Sequence, residues 1–109
     1  MITNKTSFLD FIKQHIVENV SMKHLRNSRS FISQGNKHYN VSLYINEEVF
    51  DIMLCQYRSG NVWCSVTRYV YDEYDDKSII KQGTMTVDNN GYITYDSFHF
   101  DDIYIKSKQ

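Results

Sequence analysis

A chain of 109 residues, 41% apolar and 15% aromatic, can build one buried core and is too aromatic to remain disordered. Its net charge of −1 argues neither for nor against nucleic acid, and no apolar run approaches the roughly 20 residues of a membrane-spanning helix. The charge is unevenly spread: residues 1–46 hold six Lys/Arg and two Asp/Glu (+4), and residues 47–109 hold six and eleven (−5). All nine tyrosines fall between Tyr39 and Tyr104.

The first residues lack the basic, apolar and small-residue regions of a signal peptide, and Ile2 replaces the glycine that myristoylation requires. A cytoplasmic protein is expected, so the triplets starting at Asn4, Asn19 and Asn40 are read as chance glycosylation matches. Alanine and proline are absent, a composition expected of a low-GC genome such as a mobile element. Turns must therefore be read from Gly, Asn, Asp and Ser.

Along the chain, Phe8, Phe11, Ile12, Ile16 and Val20 recur at mostly three- and four-residue steps. They predict a helix over residues 7–20, with Ser7 as its cap and Asp10 completing a capping box. Residues 21–35 predict a second, short or broken helix, with Ser21 at its start and Gly35 just past its end. From His38 the period changes to two. Tyr39, Val41, Leu43 and Ile45 mark a half-buried strand, a turn at 46–48 follows, and strands are expected over 49–58 and 61–71.

If Ser59-Gly60 is a two-residue loop, Tyr57 faces Val62, Cys55 faces Cys64, Met53 faces Val66 and Asp51 faces Arg68. That face is apolar and ends in an ion pair. Farther on, a three-residue loop Asn89-Asn90-Gly91 pairs Val87 with Ile93 and Met85 with Tyr95, with Gly91 in a left-handed bulge. A last strand is expected over 97–105, with a bulge or turn at Asp101-Asp102. The expected architecture is α+β: one or two N-terminal helices packed on a five- to six-stranded antiparallel meander, in a single domain with helical residues 7–35 and sheet residues 38–106.

Candidate chemistry is sparse. Cys55 and Cys64 are expected to be reduced, buried thiols, although the two-residue loop would bring them close enough for a disulfide. His99 and Asp101 share a strand face but have no third partner, so no metal site and no cofactor are expected. No nucleophile-elbow, phosphate-loop, dinucleotide or zinc-protease motif occurs, and no catalytic residue is assigned. His15, Lys23, His24, Arg26 and Arg29 form a basic group in the helical region. They support an alternative reading as a nucleic-acid-associated protein or a small metal-free nuclease.

The segment Arg68 to Lys77 ends a strand in a tyrosine-bearing acidic loop. Asp72, Glu73, Tyr74, Asp75 and Asp76 are the expected partner-binding residues. Tyrosine offers rigid contact area, and carboxylates steer a basic protein surface. The leading expectation is a small binding protein that acts by occupying a partner, such as a toxin-neutralising immunity protein or a phage- or plasmid-borne inhibitor of a host enzyme. No enzymatic activity and no membrane association are expected.

Overall fold

A computed structural model describes residues 2–97. Helix α1 (Lys5–His15) leads through a 3-10 turn (Met22–His24) into six strands. These are β1 (Leu25–Ser33), β2 (Asn36–Ile45), β3 (Glu48–Gln56), β4 (Val62–Tyr71), β5 (Lys77–Val87) and β6 (Ile93–Asp96). The strands form one antiparallel sheet in chain order, with α1 packed on one face. The expected α+β meander is the observed architecture, with one α-helix among the described residues, the lower of the one or two expected.

The helix starts earlier than expected because Asn4, as good a cap as serine, precedes Ser7 by three residues. The Asn4 side chain accepts from the Ser7 amide at 2.9 Å, and Ser7 Oγ accepts from the Asn4 amide at 3.1 Å. Ser7 is therefore the third helical residue of a capping box, not the cap. The helix also ends early. The amides of Ile16 and Val17 both donate to the Ile12 carbonyl, and Asn19 adopts φ 59°. Ile16, Val17 and Val20 stay buried in this non-helical continuation.

The second expected helix is replaced by β1. Only Met22–His24 coils, with Ser21 at its start and the Ser21 amide donating to His24 Nδ1 at 2.9 Å. Asn27, Ser28 and Ser30 compete with a helix for backbone bonds, and β2 supplies an edge that satisfies that backbone instead. Gln34 (φ 53°) and Gly35 (φ 80°) then form a two-residue hairpin turn, the left-handed geometry that glycine favours.

The core lies between α1 and the sheet. Phe8, Ile12 and Ile16 meet Leu43, Phe50, Ile52, Leu54, Val66 and Met85, and every one of these side chains is buried. The N-terminus is tied down beside it: the Ile2 amide donates to Gln56 Oε1 at 3.1 Å and the Ile2 carbonyl accepts from Tyr39 Oη at 3.0 Å.

The β3–β4 register differs from the expected one by a single residue. The Tyr57 amide donates to the Asn61 carbonyl, the Gly60 amide to the Tyr57 carbonyl, and Gly60 has φ 93°. The loop thus has three residues, Arg58-Ser59-Gly60, with the glycine in the bulge position. Leu54 faces Cys64, Ile52 faces Val66 and Phe50 faces Arg68. This face is more apolar than the one expected, and it leaves Met53 exposed.

Two consequences follow from that shift. Cys55 now lies opposite Trp63, on the other face from Cys64, and both thiols are free. Arg68 does not pair with Asp51, which instead accepts from Ser42 Oγ at 2.7 Å. Arg68 grips Glu48 through two hydrogen bonds of 2.9 Å.

Cys64 has no exposed surface, and burial pushes its thiol up to about 12. In the folded protein at pH 8, iodoacetamide should leave Cys64 unmodified, because thiolate is the reactive form. Unfolding in denaturant should then allow alkylation, read by peptide mass spectrometry. Native labelling at the rate of a free thiol would contradict this burial.

The loop at 89–91 is as expected: Val87 faces Ile93 and Gly91 takes φ 90°. Beyond it a bulge shifts the pairing, so Met85 meets Asp96 and Tyr95 meets Thr86. The shift leaves Tyr95 exposed and Met85 fully buried. His99, Asp101, the bulge at 101–102 and the strand expected to 105 lie outside the described residues.

Candidate partner-binding finger

The β4–β5 hairpin reaches past the end of β3. The last pair between β3 and β4 is Val49 with Tyr69, whereas β4 and β5 continue pairing through Val70–Ser78 and Tyr71–Lys77. Among the described residues the end of this ribbon is therefore two strands wide, and it carries the acidic loop.

The five expected residues are brought together there, but with different roles. Asp72 is the internal brace. Its Oδ1 accepts from the Tyr74 amide at 2.8 Å and the Asp76 amide at 2.9 Å, while its own amide donates to the Asp76 carbonyl. The Asp75 amide donates to the Asp72 carbonyl, and Asp75 takes φ 62°. This is the three-residue bulged loop seen at Gly60 and Gly91, with aspartate where those loops use glycine. Aspartate is one of the few residues that tolerates this conformation. The brace leaves Glu73, Tyr74, Asp75 and Asp76 exposed, with Tyr74 at 77%.

Sequence reasoning missed the apolar half of this surface. Tyr71, Ile79 and Ile80 are exposed on the same hairpin as Tyr74. A bulge between Arg68 and Tyr69 explains the isoleucines: Arg68 pairs with Lys81 and Tyr69 with Ile79, leaving Ile80 as the extra residue. Two adjacent isoleucines that break a strand's alternation were the available signal.

At the finger's base, Tyr69 is buried and meets Tyr71 edge-on at 5.5 Å. Lys77 Nζ sits 4.1 Å from the Tyr69 ring centre. Burial, with hydrogen bonds to Tyr71 and Asp51, raises the Tyr69 hydroxyl well above the usual tyrosine range. The finger is thus rooted on a neutral phenol and ends in four carboxylates.

The basic residues do not form a comparable site. His15 is buried against Phe11, with ring centres 4.6 Å apart. His24 is lowered from the ordinary histidine range by burial and then by Lys23. Arg26 donates to the Lys23 carbonyl and lies over Tyr44, and Arg29 lies over Phe31. A cleft of about 270 Å³ between α1 and the β1–β2 hairpin is lined by residues such as Lys5, Phe8, Ser30 and Tyr39, with no carboxylate, imidazole or thiol.

Among the described residues, no three His, Cys, Asp or Glu side chains come together to hold a metal ion. No helix in the described part is long and apolar enough to cross a membrane. No protein-family model, no curated protein and no solved structure matches this chain.

Proposed function

We propose that this chain is a small protein-binding inhibitor that occupies a basic surface of its partner through the β4–β5 finger. A toxin-neutralising immunity protein and a phage- or plasmid-borne inhibitor of a host enzyme both act in this way. The carrying observation is the exposure of Tyr71, Tyr74, Ile79 and Ile80 on the same overhanging ribbon as four carboxylates. Aromatic anchors supply most of the energy of typical interfaces, while surrounding charge sets encounter rate and partner choice. The braced loop supports the reading, since an ordered tip has less entropy to lose on docking. Two unbridged cysteines suit a reducing, cytoplasmic setting.

The test is a variant combining Tyr74→Ala, Glu73→Lys and Asp76→Lys. It spares the Asp72 brace and the left-handed Asp75. The partner captured from the native host by the wild-type chain should bind the variant at least ~30-fold more weakly, as expected for loss of one anchor of about 2 kcal/mol. Circular dichroism and thermal midpoint should stay as in the wild type. Equal capture by the variant would remove the finger from the binding surface.

A further inference from the structure

The outer edge of β1 is the other surface with a specific geometry. The strand is nine residues long, has no proline, and is exposed from Arg26 through Ser33. Its pairing with β2 is regular from Asn27 to Ser33, the only irregularity lying between Leu25 and Asn27. The two-residue Gln34-Gly35 turn makes Ser33 and Asn36 a hydrogen-bonded pair. Alternation then commits Ser33, Phe31 and Arg29 to β2. The backbone N–H and C=O of Ser28, Ser30 and Ile32 point toward the edge that no described strand covers. Such a row of backbone groups is a template for another strand.

We propose that this edge pairs with the same edge of a second copy of the chain, antiparallel, about a two-fold axis at Ser30. Ser30 is the midpoint of the regular stretch and one of the outward residues. The resulting register sets Ser28 against Ile32 of the second copy, Asn27 against Ser33, and Arg29 against Phe31. Arg29 already lies 5.5 Å from the Phe31 ring centre of its own strand, and that ring stacks on His38 at 4.7 Å. Across the axis each guanidinium meets a second phenyl ring, and no like charges are opposed.

The neighbouring registers are worse. An axis at Arg29 sets the two arginines directly opposite each other. An axis at Ser28 runs the pairing into the irregularity at Leu25–Asn27. An axis at Phe31 shortens the paired stretch to residues 29–33. Because the contact is isologous it closes after two copies, joining two six-stranded sheets into one. The finger is on another part of the sheet, so this pairing stands or falls independently of the proposed function.

Sedimentation equilibrium of the full chain should give twice the chain mass at submillimolar concentration, falling to the chain mass on dilution. Ser30→Pro removes an amide that β2 does not use, and should give the chain mass throughout with an unchanged circular dichroism spectrum. Hydrogen exchange by NMR supplies a reading without mutation. The amides of Ser28, Ser30 and Ile32 should be protected in concentrated wild-type protein and lose that protection on dilution. A wild-type chain mass at every concentration, free exchange at those three amides, or a dimer that survives Ser30→Pro would each overturn the proposal.

Discussion

Replacing Glu48 by alanine should lower the unfolding free energy by about 3–5 kcal/mol, the usual result of removing one partner of a buried ion pair. The Glu48 and Arg68 side chains are only 13% and 7% exposed, and their closest atoms are 2.8 Å apart. Arg68 also lies 5.8 Å from the centre of the Phe50 ring, on the helix-facing side of the sheet. Without Glu48 a buried guanidinium loses the carboxylate that meets it through two hydrogen bonds. Arginine cannot shed its proton, so the charge cannot be relieved by titration.

The contrast is a double variant, Glu48→Leu with Arg68→Met. Replacing both partners by apolar groups of similar size should recover most of the loss. Urea unfolding followed by fluorescence checks both proteins. A loss below ~1 kcal/mol for Glu48→Ala would place the pair in the class of surface salt bridges.

Phe50→Ala should cost about 3–5 kcal/mol, the range for emptying a buried aromatic site. Phe50 is fully buried between α1 and the sheet, and it faces Arg68 across the β3–β4 ladder. The backbone strands on either side hold the cavity open, so little of the lost packing can be regained. Because Phe50 and Glu48 both touch Arg68, their effects should not add. Combining Phe50→Ala with Glu48→Ala should depart from the sum by at least ~0.5 kcal/mol, which a double-mutant cycle in urea measures. Strict additivity would mean that the arginine does not couple the two positions.

The sheet was legible from Tyr39 onward because one face of β2 is apolar at every second residue. β1 was not. Its sequence, L-R-N-S-R-S-F-I-S, has no buried face, and it is a strand because β2 offers an unpaired edge. The three-residue loop was read correctly at Gly91 and missed at Gly60. At Gly60 the two-residue reading already produced an apolar face ending in an ion pair, while the three-residue loop produces a more apolar one, Leu54 with Cys64 and Ile52 with Val66. The core chemistry depends on that choice: Arg68 could be matched with Glu48 only after the register and the 46–47 turn were both known.

The acidic tip was visible in D-E-Y-D-D. The role of Asp72 as a brace, and the exposure of Tyr71, Ile79 and Ile80 on the same hairpin, were not. The exposure of Tyr71 depends on how far β4 and β5 run beyond β3, and that of the isoleucines on a bulge in the β4–β5 register, relations between strands that no local window contains.

The strand order also determines where chain entropy is spent. Neighbours in the sheet are neighbours in sequence, and the connections between strands are only two to five residues long. Each strand pairing therefore closes a short loop, and closure cost rises only logarithmically with loop length. The widest separation is bridged by the helix, whose Ile12 shares a core with Val41 in β2 and with Met85 in β5. Long-range order in this molecule is thus concentrated in one docking event. Until α1 settles together with Ile2 before it and Ile16, Val17 and Val20 after it, the apolar face of the sheet has no cover among the described residues.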